Sequence, residues 1–247
     1  MNKKAFPLIL LGVDAYMRFS KALIDLGFIP ISLPRDERLP LPVSSHADML
    51  IFIIDNVVFC NEEYYSRNKS IFEKIEQYGY SVNHSNFIVD NRYPNDIALN
   101  QALIGKYIIG KSDSCARQIL DYAHINRYEY ISTKQGYAKC STLILNKNAI
   151  ITADDSIVKI ATDLRLDSLK INNADFKIKL EGYNYGFIGG ASFVYNNQVI
   201  FFGNMDNNKG EKDILEFCKK HGFSTVSLDK DELTDVGGAF VIPYIAH

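Results

Sequence analysis

The apolar positions of this chain fall into short runs that recur in a fixed order. Runs of four to eight apolar residues read as strands, and apolar positions three or four apart read as helix faces. The stretch "DMLIFIIDNVVF" predicts a hairpin that turns at Asp55-Asn56, a dipeptide suited to a tight turn. A helix is expected from Glu62 to Tyr78 with Ile71, Ile75 and Tyr78 on one face; Gly79 ends it, and "YSVNHSNFIV" returns as a strand. The same order then repeats. "IALNQALIGKYIIG" turns at Gly105-Lys106, Ser112 to Asn126 reads as a helix, and "YEYIS" as a strand. "CSTLILNKNAIITA" turns at Lys147-Asn148, with a helix from Asp155 to Leu166 and the strand "SLKIN". "GASFVYNNQVIFFG" turns at Asn196-Asn197, with a helix from Lys209 to His221 and the strand "STVSL".

The turn anchors Asn56, Lys106, Asn148 and Asn197 are 42 to 50 positions apart, a spacing that marks structural repeats. The two ends supply a fifth unit between them. "AFPLILLG", the helix "DAYMRFSKALIDLG" and the strand "FIPISLP" lack a first strand, and "GGAFVIPYIAH" is a strand without a helix. Pairing of the first and last strands would remove two exposed sheet edges. The expectation is an α/β protein of five ββαβ units around an axis, one domain over residues 1–247.

Composition narrows the function classes. The chain has 247 residues, 27 basic against 29 acidic, and a net charge of −2, whereas a general nucleic-acid binder carries a basic surplus. Lys3-Lys4 and the apolar run after them look like the start of a signal peptide, but Asp14 and Arg18 interrupt it and no small-residue cleavage site follows. It reads as a strand. No apolar run reaches the roughly 20 residues that cross a bilayer. Cys60, Cys115, Cys140 and Cys218 stand far apart, in neither a zinc pattern nor a disulfide framework, which points to reduced thiols in a cytoplasm. The five histidines have no ligand partner at metal spacing, so no metal or other cofactor is expected.

Three segments carry a resemblance. "HADMLIFIIDNVVF" resembles the His-x-Asp hairpin of the pentein fold, the fold of the guanidino-group-modifying enzymes and of some non-enzymatic relatives. "FIGGASFVYNNQVIFFGN" is similar to the segment that reads Glu-Gly-Gly-Asp in deiminases, with Ile188 and Ala191 in place of the two acids. "DVGGAFVIPY" is similar to the Gly-rich approach to the last strand, where deiminases carry their cysteine and this chain has none. In element order the resemblance spans nearly the whole chain. It is closest to a bacterial branch of the fold that lacks the deiminase acid pair. The resemblance implies that His46 is a general acid/base and that Cys140 is the available nucleophile. In deiminases the nucleophile's unit follows the histidine's directly; here the unit from Asn95 to Ser132 intervenes.

If the units ring an axis, the first residues of each inner strand gather there: His46 to Asp48, Asn95 and Asp96, Lys139 to Ser141, Gly189 and Gly190, and Gly237 and Gly238. His46 and Asp48, two apart on a strand, would share a face, where Asp48 orients the imidazole or holds a cation. The plainer reading is a solvated strand end. The Lys139 ammonium would favour a Cys140 thiolate if the two share a face, yet strand neighbours point apart and cysteine is often a small core residue. Asp96, Lys139, Ser141, Gly189 and Gly190 are the candidate ligand contacts, joined by Asn184 and Tyr185 in "EGYNYGF", a loop able to stack on a planar ligand. The glycine pairs permit close backbone approach but begin no helix, so they are not phosphate loops. Asp154 and Ser112-Asp113 read as helix caps, and Asp206 as turn chemistry.

Two functions remain open. One is a hydrolase or transferase, amidinotransferase-like, that acts on a small guanidino or amidino compound through Cys140, His46 and Asp48. The alternative is a catalytically inactive protein that binds a small ligand or a protein partner in the same channel. A purely structural role fits least with a polar channel.

Overall fold

The computed structural model describes residues 6–173, 176–206 and 208–245, so the expected end of the last strand at His247 lies outside the described residues. Five three-stranded sheets carry the architecture, and each has the same plan. A hairpin is followed by a helix and a third strand that lies parallel to the second. Strand β1 (Leu8–Gly12) is buried at every position, because both its faces and both its edges are covered. Helix α1 (Val13–Asp25) then leads to β2 (Ile29–Leu33), parallel to β1. The second unit runs α2 (Ala47–Leu50), β3 (Ile51–Ile54), β4 (Val57–Asn61), α3 (Glu62–Arg67), α4 (Lys69–Gln77) and β5 (Ser81–Ser85). The third is β6 (Ala102–Ile104), β7 (Tyr107–Gly110), α5 (Arg117–Ile125) and β8 (Glu129–Ser132). The fourth is β9 (Thr142–Asn146), β10 (Ala149–Thr152), α6 (Asp155–Asp163) and β11 (Asp167–Lys170). The fifth is β12 (Ser192–Tyr195), β13 (Gln198–Phe201), α7 (Glu211–Lys220) and β14 (Ser224–Ser227). Finally, β15 (Phe240–Ile242) returns to pair antiparallel with β1, Ile9 opposite Val241. The split unit therefore forms as the sequence predicts.

Helix burial follows the expected period. Ala15, Phe19 and Leu23 of α1 are buried four residues apart, as are Ile119 and Ala123 of α5 and Ile157 and Ala161 of α6. The hairpin turns follow their dipeptides: Asp55, Gly105 and Asn196 adopt φ of 53°, 59° and 50°. Lys147-Asn148 turns by another device, in which the Asn146 side chain accepts from the Asn148 amide and the register shifts at Ala149.

Three elements differ from expectation. The helix over 62–78 breaks at Asn68, whose backbone leaves the helical region (φ −126°, ψ 28°) and whose side-chain amide donates to the Tyr64 carbonyl. Its buried face centres on Phe72 and Ile75 rather than on Tyr78. The helix expected from Ser112 is split: a 3-10 turn covers Ser112–Ser114 and the α-helix begins at Arg117, the Ala116 amide being tied to the Ala98 carbonyl, while the Ser112 hydroxyl bonds to Ser132. Asp154 does cap α6, accepting from the Ile157 amide at 3.0 Å.

The third difference positions the site. The residues ahead of the inner strands β3, β6, β9 and β12 are turns of helical character, not strand ends. Met49 N–H bonds to His46, Asn100 to Ile97, Ser141 to Tyr137, and Ala191 to Phe187. His46 caps the short helix α2 at φ −68°, ψ 123°, so the shared strand face predicted for His46 and Asp48 does not exist. The reason is a competing partner: the Asp48 amide donates to the Gly237 carbonyl at 3.3 Å instead of to a sheet neighbour.

Candidate active site

These lead-in segments are stitched to one another. The Asp48 amide reaches the Gly237 carbonyl, the Gly238 amide reaches Gly190, and the Gly190 amide reaches Cys140. The Cys140 amide then donates to Asn100 Oδ1 at 3.2 Å, and Asn100 Nδ2 donates to the Asp48 carbonyl at 3.3 Å. The circuit returns to its start, with all five units contributing. Close approach makes it possible. A Cβ on Gly190 would lie 1.9 Å from Asp235 Oδ1, and one on Gly237 would lie 2.3 Å from His46 Cβ.

Three functional groups meet at this junction. Cys140 Sγ donates to Asp48 Oδ2 at 2.9 Å, and ligating atoms of His46, Asp48 and Cys140 all lie within 4.8 Å of one another. The intervening third unit does not keep them apart; its Asn100 links the Asp48 backbone to Cys140, with Nδ2 also 3.3 Å from Cys140 Sγ. The expectation that His46 lacks metal-ligand partners is thereby corrected. A thiol, an imidazole and a carboxylate this close form a donor set able to hold a soft divalent cation.

Burial sets the electrostatics. Asp48 is fully buried, and desolvation pushes its carboxyl up to about 6, against opposing pulls from Lys139, His46 and the Cys140 bond. Cys140 is likewise raised, first by burial and then by the Asp48 and Asp235 charges. Lys139 acts in the direction the sequence suggests but is outweighed, so the resting group is a neutral thiol. Its ammonium donates to the Gly189 carbonyl at 2.9 Å. His46 Nδ1 and Asp48 Oδ1 are buried with no hydrogen-bond partner, an arrangement that invites a polar ligand.

A cavity of about 230 Å³ opens onto these groups, lined by Val43, His46, Tyr137, Cys140, Leu180, Tyr183, Asn184, Tyr185, Phe187 and Asp235. Asn184 and Tyr185 are thus at the cavity, as their loop suggests. Asp96 stands behind its wall, accepting from the Tyr137 hydroxyl at 2.6 Å, and burial raises its carboxyl. Ser141 points elsewhere, to the Ala138 carbonyl, and Gly189 and Gly190 supply backbone contacts behind the cavity. Ile188 and Ala191 are buried in an apolar cluster. A second cavity, of about 940 Å³, shares Leu180 and Tyr183 to Tyr185 with the first and has Lys170 and Glu232 on its walls.

Asp235 and Asn100 were not singled out by sequence reasoning. Asp235 is buried, accepts from the Phe187 and Gly237 amides, and faces His46 Nδ1 at 3.7 Å, beyond hydrogen-bond reach. An acid two residues ahead of a Gly-Gly pair is its only sequence signal. Asn100 was findable by register, since it stands two residues before β6 as Cys140 stands two before β9 and Gly190 two before β12.

Five three-stranded units with this connectivity define the pentein fold. Solved structures of three enzymes share it. Dimethylarginine dimethylaminohydrolase from Pseudomonas aeruginosa, complexed with citrulline, matches at TM-score 0.60 and 14% identity over 95% of this chain and 96% of its own. An amidinotransferase of saxitoxin biosynthesis from Microseira wollei matches at 0.62 and 9%, over 99% and 96%. The agmatine deiminase of C. jejuni matches at 0.57 and 10%, over 92% and 88%. More particularly, the chain belongs to DUF6873, a family of unknown function whose model matches residues 12–240. No curated protein matches the sequence significantly. Among the described residues no helix is long and apolar enough to cross a membrane.

Proposed function

We propose that this protein is a hydrolase or transferase of a small guanidino or amidino compound, acting through Cys140, His46 and Asp48. The observation that carries the reading is the Cys140–Asp48 contact of 2.9 Å, with His46 and Cys140 together on the wall of one cavity. A cationic substrate placed against Asp235, with Asp48 behind the thiol, would favour the thiolate, with the thiol proton passing to Asp48 Oδ2. The sulfur adds to the planar carbon, and the proton taken up by Asp48 is relayed through His46 to the departing nitrogen. In hydrolysis, water, deprotonated by the His46 imidazole, then displaces the thiol; in transfer, an acceptor amine takes its place. Asn100 holds the nucleophile's backbone. The five units form one domain arranged as a pseudo-fivefold propeller, and the four free cysteines suit a reducing cytoplasm.

The experiment is release of ammonia or amine from a panel of guanidines and amidines by wild type, Cys140→Ser and His46→Ala. Turnover abolished by Cys140→Ser and lowered about 10²–10⁴-fold by His46→Ala is expected. A second reading, a ligand-binding protein without catalysis, is favoured by the raised Cys140 thiol and the loss of the acid pair at Ile188 and Ala191. Saturable binding with no turnover by wild type would select it.

A further inference from the structure

The walls of the Cys140 cavity carry a further message about what it takes. No arginine or lysine is among them; the one carboxylate is Asp235, and Asp48 lies directly behind the thiol. The remainder is mostly apolar or aromatic: Val43, Tyr137, Leu180, Tyr183, Tyr185 and Phe187. The rings are organised. Tyr137 and Phe187 stack at 29° with centroids 6.4 Å apart, and Tyr185 meets Phe187 edge-on at 6.0 Å. The Tyr137 ring is fixed by its hydroxyl bond to Asp96. At the mouth, Tyr183 and Tyr185 remain 48% and 46% exposed.

Arg18, Arg35 and Lys179 line an adjoining cavity that shares His46, Leu180 and Asp235, and each already has a carboxylate partner. Arg35 pairs with Asp14 at 2.5 Å, Arg18 with Asp229 at 2.7 Å, Lys179 with Glu232 at 3.4 Å, and Lys139 donates to Gly189. A substrate carboxylate would be desolvated near two acids with no cation on the cavity wall, the Lys139 ammonium lying outside the lining on the Gly189 carbonyl. A cation gains from both acids and from the ring faces. At roughly 30 Å³ per water, the space holds about seven or eight waters' worth of ligand, a compact molecule.

We propose that the ligand is a cation without a carboxylate that carries a flat or branched apolar substituent: an aryl- or alkyl-substituted amidine or guanidine, not a guanidino amino acid. The inference rests on the guanidino or amidino reading of the site and narrows it.

The test is calorimetric binding of benzamidine, L-arginine and guanidinoacetate to the full chain carrying Cys140→Ser, and to the same chain with Tyr185→Ala or Asp235→Asn added. Benzamidine should bind at least about tenfold tighter than either acid, and each added substitution should weaken it by about tenfold. Equal or tighter binding of arginine or guanidinoacetate, no binding of benzamidine, or insensitivity to both substitutions would overturn it. The two readings fail separately. Cys140-dependent ammonia release from arginine would end this inference and uphold the catalytic one. Tight benzamidine binding without turnover of any aryl- or alkylguanidine would do the reverse.

Discussion

Asp48 illustrates how a single buried group couples stability to chemistry. Its folded-state value of about 6 stands above the ordinary 3.8, and burial is the main cause. Well below pH 3.8 the carboxyl is protonated in both states. Between pH 4 and 6 the unfolded chain gives up its proton first, so folding loses stability as pH rises, and the loss levels off above 6. Asp48→Asn, which stays neutral, should therefore be more stable than wild type at pH 7.5, by about 1–3 kcal/mol, with the difference gone at about pH 3. Thermal melts at the two pH values check this. A variant that melts lower at pH 7.5 would mean that Lys139 and His46 fully compensate the ionised form. The same residue shows what pattern reading misses. The adjacency of His46 and Asp48 was legible, but not its cause, because a strand face and a capped helical turn can both bring residues two apart together.

Elements repeat here more faithfully than side chains do. Each unit's helix, hairpin and parallel return were legible because apolar spacing and turn dipeptides are local signals. The lead-in turns were not, since they form only when tied to other units, as the Asp48 amide is to Gly237. That makes the close glycine contacts sensitive points. Gly237 adopts φ of 76°, and a Cβ there would collide with His46. Gly237→Ala should cost about 1–3 kcal/mol of stability and displace His46, seen in urea unfolding and in a loss of ligand binding. Gly222 also has positive φ but nothing within 4 Å of the added Cβ, so Gly222→Ala should leave binding intact. Equal effects of both on binding would show that strain, rather than the His46 contact, is what matters at Gly237.

At the scale of the whole molecule, five units deliver one residue set to one place. Sheet pairing of β1 with β15 joins segments more than 220 positions apart in the chain. Amide exchange should therefore be slowed at alternate residues of β15, and uniformly fast exchange from Phe240 to Ile242 with β1 protected would deny that pairing in solution. The sequence order predicted this pairing, yet it could not predict that Cys140 meets His46 across an intervening unit, because convergence depends on how units stack and not on what each contains. The claim that a cation entering this cavity faces a nucleophile held ready by Asp48 is tested most directly by labelling kinetics. A haloacetamidine, whose amidinium mimics the proposed ligand, and the neutral haloacetamide would each be followed at all four cysteines by mass spectrometry at pH 7.5. The account predicts selective labelling of Cys140 by the amidinium reagent, slowed by Asp235→Asn, while the neutral reagent leaves Cys140 no faster than Cys60, Cys115 and Cys218. Labelling of Cys140 that is indifferent to the reagent's charge, or absent with both, would contradict it.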